Sequence, residues 1–246
     1  MYISAPVSSD DTRTLTMVGG NMINNHAKDA DVQNGGRQHG GAVFCSFFDY
    51  SFSDMVIKEN SAIRGGGMLI IQGTFWCERV IFHNNEATGN NDGGGALYVD
   101  DGDIVGTIKN TTFTNNAANE KLATAGALYI AAGNVRMSFS RFRDNEANTP
   151  PHDMLAEGTL TALNLDMGDQ DSTDRASGPG LEAGCSAGIC SKYADFPSYG
   201  VGCVERSGNY GFYCSLCTAG KYLPDYNTSS YADCLPCLPG TAVSSV

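Results

Sequence analysis

Three aspartates, Asp100, Asp101 and Asp103, crowd around Gly102, close enough to supply the oxygen ligands that calcium requires or to hold a catalytic acid. The same run also reads as an Asp–Gly turn between strands, which needs no ligand and is the preferred reading. Arg136, Arg141 and Arg143 could include a base or charge stabiliser, but they alternate as the solvated side of a strand does. His26, His39, His83 and His152 share no metal-ligand spacing, and neither a GxSxG elbow nor a phosphate loop is present. The remaining chemistry is thiol chemistry. Cys185, Cys190, Cys203, Cys214, Cys217, Cys234 and Cys237 fall in the last 62 residues. Within them, Cys214-x-x-Cys217 and Cys234-x-x-Cys237, sixteen residues apart, have the spacing of a four-thiolate zinc site. The density of the whole set also suits disulfides, because a segment this poor in aliphatic residues needs covalent staples if no metal is present.

The chain that must position these groups has 246 residues, 41% of them hydrophobic, enough for a sizeable core and one or two domains. A formal net charge of -12 with only 15 basic residues, scattered, argues against nucleic acid or an anionic membrane as partner. No run approaches the roughly 18 apolar residues of a membrane span. The start lacks the charged-then-apolar form of a signal peptide, and nine cysteines is an odd number, so the chain is expected to be a piece of a longer protein.

Thirty glycines fall as punctuated pairs, and they belong to a repeat. An apolar residue followed by Asn three later and Ala five later recurs at Met22, Ile57, Phe82, Phe113 and Phe142, aligning Asn25, Asn60, Asn85, Asn116 and Asn145. A second block alternates with it: GGAVFC from Gly40, GGMLII from Gly66, GGALYV from Gly94 and AGALYI from Ala125. The step from glycine block to apolar-Asn block is sixteen to nineteen residues, whereas the return step runs from six to fifteen. Each repeat therefore has one fixed coil and one tolerant loop.

In the glycine block, Val43, Leu69, Leu97 and Leu128 form one column, with Cys45, Ile71, Val99 and Ile130 two residues on, the spacing of a strand with those columns inward. A third column is Met17, Phe52, Cys77, Ile108 and Met137. Three apolar columns per repeat predict a coil of short strands around a hydrophobic interior, and glycine pairs argue against helical repeats. Stacked asparagines satisfy one another's buried amides at one corner. At about 4.8 Å per rung, five rungs make a rod about 24 Å long, which needs caps. Cys45 and Cys77, in different inward columns, read as buried thiols. The outward column Phe44, Ile70, Tyr98 and Tyr129 is an apolar ridge that either stacks a sugar or partner surface or lies under the variable loops, the latter favoured because a bare ridge invites aggregation. The next outward column, Ser46, Gln72, Asp100 and Ala131, holds a single acid.

These blocks resemble the right-handed parallel β-helix of the pectin-lyase-like superfamily, and most closely its polymorphic-outer-membrane-protein type of repeat, over residues 13–165. A degenerate further copy falls at His152-Asp153-Met154-Leu155. Cys217-Thr-Ala-Gly-Lys-Tyr and Cys237-Leu-Pro-Gly-Thr resemble ephrin-receptor-like and growth-factor-receptor-like repeats, in which the cysteines would be disulfide-bonded. The expected organisation is an extension over 1–12, an all-β parallel β-helix of about five rungs over 13–165, an acidic Gly/Pro-bearing capping loop or linker over 166–184, and a small disulfide-rich module over 185–246. Asn110-Thr-Thr and Asn227-Thr-Ser fit the glycosylation sequon. The expected function is a non-enzymatic, secreted or cell-surface segment that is structural, adhesive or ligand-binding, with a carbohydrate or protein partner and no cofactor. The alternative is a polysaccharide lyase or glycoside hydrolase, with calcium as its candidate ion.

Overall fold

A computed structural model describes residues 2–3, 14–27, 40–46, 48–90, 93–163, 165, 175–184, 201–205, 212–216, 221–222 and 235–236. Every described element is a β-strand. The repeat coils into a parallel solenoid of about four turns, a little shorter than five full rungs, with three sheets running along its length. The first sheet stacks seven strands, among them Val43–Cys45, Met68–Ile70, Leu97–Val99, Leu128–Ile130 and Met154–Ala156. The second holds ten, and two consecutive stretches of each central turn belong to it, as in Thr74–Glu78 and Ile81–His83. The third is a narrow four-strand sheet built from two-residue strands such as Glu86–Ala87 and Ala117–Ala118.

The alternation of these strands decides what is buried. Phe52, Cys77, Ile108 and Met137 align across the second sheet and are all sealed from solvent. One corner further on, Phe82, Phe113 and Phe142 stack with nearly parallel planes, centroids 5.0 and 4.8 Å apart. That separation is the rung spacing itself, so the rings repeat the backbone register in the core. Cys45 and Cys77 are buried free thiols; burial pushes Cys77 up to about 12 and raises Cys45 as well. Both remain protonated and are poor nucleophiles.

One column differs from the sequence expectation by a residue. Val43 and Leu97 both pair with Met68, and Cys45 and Val99 both pair with Ile70. The block therefore begins at Gly65 and not Gly66, and Gly67 takes the position held by Ala42, Ala96 and Ala127. Three consecutive glycines allowed either alignment. The left-handed backbone of Gly40, Gly65, Gly94 and Ala125, with φ of 68, 56, 64 and 53°, marks the true start.

The second glycine of each block meets a different demand. A Cβ on Gly95 would lie 2.2 Å from Gly126 O and 2.3 Å from Ala117 O, and one on Gly126 would lie 2.1 Å from Glu146 O. These are backbone atoms of neighbouring strands and cannot step aside. Gly95→Ala is thus expected to cost about 3 kcal/mol. Gly94→Ala, at a position where Ala125 already holds the same conformation, should cost about 1 kcal/mol. Comparing the two urea midpoints checks the order.

The stack extends past both expected ends. Tyr2–Ile3, in the expected extension, pairs with Phe44–Cys45. Ala176–Ser177 and Leu181–Gly184, in the expected linker, pair with Met154–Leu155 and Leu160–Leu163. Ala176 and Leu181 continue the inward columns, which the polar composition of the segment concealed. In the cysteine-rich region, Val201–Glu205 and Phe212–Leu216 form an antiparallel pair that sets Cys203 directly opposite Cys214 in the backbone register. Cys185, Cys190, Cys217, Cys234 and Cys237 lie outside the described residues, as do His39 and Asn227. No helix among the described residues is long and apolar enough to cross a membrane.

Candidate functional site

The five asparagines form a continuous hydrogen-bonded ladder. The side-chain amide of Asn25 donates to Asn60 Oδ1 at 2.9 Å, Asn60 to Asn85 at 2.9 Å, Asn85 to Asn116 at 3.0 Å and Asn116 to Asn145 at 3.0 Å. Each Nδ2 after the first also donates to a main-chain carbonyl of the preceding turn, those of Met22, Ile57, Phe82 and Phe113. Each Oδ1 from Asn60 onward accepts a second bond from the backbone N–H of the previous ladder residue. From Asn60 onward, four bonds per side chain exhaust the amide's capacity. The residue just before each ladder asparagine, Asn24, Glu59, Asn84, Asn115 or Asp144, has a φ of 52 to 56°, which turns the chain inward.

All the amides point the same way, and the last one donates to a carboxylate. Asn145 Nδ2 gives 2.8 Å to Asp153 Oδ1, in a position where the sequence has no sixth asparagine. Asp153 follows Ala127 in the inward small-residue column and is wholly buried. Arg175, 6% exposed, closes the end: its Nη1 lies 3.3 Å from Asp153 Oδ2 and donates to Asn145 O at 3.1 Å. Burial outweighs the Arg175 charge and raises the Asp153 carboxyl to about 6. Sequence reasoning missed Arg175, which sits in a run that reads as a polar loop.

The outward face of the first sheet holds the other candidates. With the corrected register the ridge is Phe44, Leu69, Tyr98 and Tyr129, and Ile70 is an inward core residue. The ridge is largely covered: Leu69 is 1% and Tyr98 5% exposed, and the Arg64 guanidinium stands 5.5 Å over the Tyr98 ring. Tyr98 and Tyr129 pack at 4.8 Å between centroids. Arg64 also reaches Asp100, Nη1 to Oδ2 at 3.4 Å.

Asp100 thus faces a cation, while Asp101 and Asp103 do not join it in a site. Asp101 Oδ1 accepts from the Asp103 N–H at 2.9 Å, and its carbonyl accepts from Ile104, which is an Asp–Gly turn closed on itself. Among the described residues no three His, Cys, Asp or Glu side chains gather as a metal-binding group. One acid was overlooked. The pairing of Val99 with Ile130 and of Ile130 with Ala156 puts Asp100, Ala131 and Glu157 in one outward column. Glu157 hydrogen-bonds Tyr129, whose phenol is pushed above its ordinary range by burial first and by that bond second. The degenerate copy at His152 was the signal that could have located it.

A serine and a histidine also meet. His26 Nδ1 lies 2.6 Å from Ser61 Oγ and its Nε2 2.7 Å from Asn24 Oδ1, the order of nucleophile, base and orienting group. An acyl-transfer site also needs N–H donors for the oxyanion. Here the neighbouring N–H groups of Asn25 and Ser61 are already given to Asn60 Oδ1 and Asn25 O. Asn110, of the first sequon, is exposed at a corner with φ 48°. Compared with protein-family models, with curated proteins and with solved structures, the chain finds no match in any of the three.

Proposed function

We propose that the solenoid is a non-catalytic rod, a structural, adhesive or ligand-binding segment of a larger secreted or surface protein. The observation that carries this reading is how its carboxylates are spent. Asp54 meets Arg79 at 2.6 Å, Glu78 meets Arg79 at 2.8 Å, Asp100 meets Arg64 and Asp153 meets Arg175. Among the described residues, the one carboxyl raised toward neutrality, where a general acid must titrate, is Asp153, and it is sealed inside the end of the ladder. The resemblance of the repeats to pectin-lyase-like β-helices supports the rod and leaves the chemistry open, since that superfamily includes lyases, hydrolases, adhesins and stalks. The cysteine-rich end, read as a disulfide module, and the sequons at Asn110 and Asn227 support an extracellular setting.

Asp100 and Glu157 favour one rival reading. They share an outward column two rungs apart, about 9.6 Å at the backbone, near the upper end of the separation used by inverting glycosidases. Incubation with polygalacturonate and with neutral β-glucans, followed by reducing-end and unsaturated-product assays, decides between them. The rod reading expects neither product above the protein-free control. Release of either, abolished by D100N or E157Q, would establish the hydrolytic or lyase reading instead.

A further inference from the structure

Trp76 is the sole tryptophan of the chain and lies 41% exposed on the outer face of the second sheet, well away from the Tyr98 column. Its position in the register is unusual. The residues paired with it on either side are Ser51 and Thr107, both small, so the indole stands over a low floor. Its Nε1 donates to Glu78 Oε2 at 3.3 Å, which anchors the ring. Val105, 55% exposed and diagonal to it, extends the apolar plate. Continuing along the same outward column past Thr107, the next residue is Arg136, exposed and without a hydrogen bond or ion pair among the described residues. The hydroxyls of Ser51 and Thr107 likewise make none among them.

We infer that this face binds a neutral, extended hexopyranose chain, one ring stacked on Trp76 and the hydroxyls of successive rings bonded to Ser51, Thr107 and Arg136. An indole offers a flat apolar plate with hydrogen-bonding groups around its rim, and a pyranose presents the complementary C–H face and equatorial hydroxyls. The column is straight and repeats at about 4.8 Å, which suits a β-1,4-linked ribbon better than a coiled chain. Charge selects against an acidic one. Around Trp76 the described charged side chains, Asp49, Asp54, Glu78, Arg79, Lys109 and Arg136, cancel, and the chain as a whole carries -12. A polyanion approaching it is repelled.

The inference rests on the non-cleaving reading above. Cellohexaose, a β-1,4-linked glucose hexasaccharide, is titrated into the intact chain while tryptophan emission is followed. Because the only reporter is Trp76, a saturable blue shift with a Kd of about 1 mM or tighter is the expected result. By calorimetry, W76A should weaken binding at least tenfold, W76F less, and T107V several-fold, with urea midpoints unchanged for these outward positions. An unshifted spectrum at saturating probe, binding that survives W76A, or tighter binding of polygalacturonate than of cellohexaose would overturn the inference. Chromatography of the recovered probe separates the two failures: a shortened hexasaccharide refutes the non-cleaving rod, whereas an intact and unbound one refutes the Trp76 platform alone.

Discussion

Asn85→Asp is expected to lower the stability of the solenoid by about 4 kcal/mol or more at pH 7.5, an exceptional loss for a substitution that alters no shape. The Asn85 side chain is fully buried, and it donates to Ile57 O at 2.8 Å and to Asn116 Oδ1 while accepting two bonds from Asn60. A carboxylate in its place keeps the acceptor role and turns both donors into acceptors. Two oxygens then face Ile57 O and Asn116 Oδ1, and a charge is buried with no cation beside it. The pH dependence carries the signature. A buried, unpaired carboxyl has its folded-state pKa raised, so the folded state binds a proton more readily than the unfolded chain. Stability is then retained at low pH and lost as pH rises through the raised value. The deficit of N85D should therefore shrink between pH 7.5 and 4.5. Asn85→Ala, which strands the same partners without adding a charge, should cost about 3 kcal/mol at either pH. Urea titrations followed by Trp76 emission, on the same turn of the solenoid as Asn85, measure both. Equal deficits for N85D at the two pH values would mean that the ladder position is wet.

The ladder is legible in the sequence because each asparagine occupies a fixed place behind an apolar residue and ahead of a small one. Only one arrangement, stacking in register, gives all five the same work. The core columns through Phe52 and Cys77 were legible for the same reason, since alternation inside short strands fixes inward and outward once one column is known. Register failed where the local signal was degenerate. Gly65-Gly66-Gly67 allowed two alignments, and choosing the wrong one turned Ile70 outward and left Leu69 inside. A test lay in the spacing, for the step from Gly65 to Phe82 is seventeen residues, matching the steps from Gly40 to Ile57 and from Ala125 to Phe142. Trp76 went unremarked because Phe75 and Trp76 are adjacent, and which of two neighbouring aromatics faces water depends on pairing and not on type. Asp153, Glu157 and Arg175 lie where the repeat degenerates. A cap must differ from the unit that it ends, so Asp153 and Glu157 carry only the degenerate signal of the copy at His152, and Arg175 carries none.

That cap yields the second large effect. Arg175→Met is expected to cost 3 to 5 kcal/mol near pH 7.5, on the order found when one partner of a buried ion pair is removed. The Asp153 carboxylate would be left with only the Asn145 amide, and Asn145 O would lose the bond that it accepts from Arg175. Changing both members together should be far milder. D153N keeps an oxygen for Asn145 and removes the charge, so D153N with R175M forfeits little beyond that single bond, about 1 kcal/mol. The wild-type pair has its own pH dependence. Asp153 titrates at about 6 in the folded protein against the ordinary 3.8, with Arg175 and Arg143 lowering it and Asp144 raising it around the dominant effect of burial. Because the folded value is the higher, its contribution is fully present below pH 4 and lost as pH rises through 6. About two units correspond to roughly 3 kcal/mol across that window. Relative to D153N, the wild-type chain should thus gain stability as pH falls from 7.5 to 4. A difference between the two that stays constant over this range would show that Asp153 ionises as though exposed, and that a charge does not close the ladder.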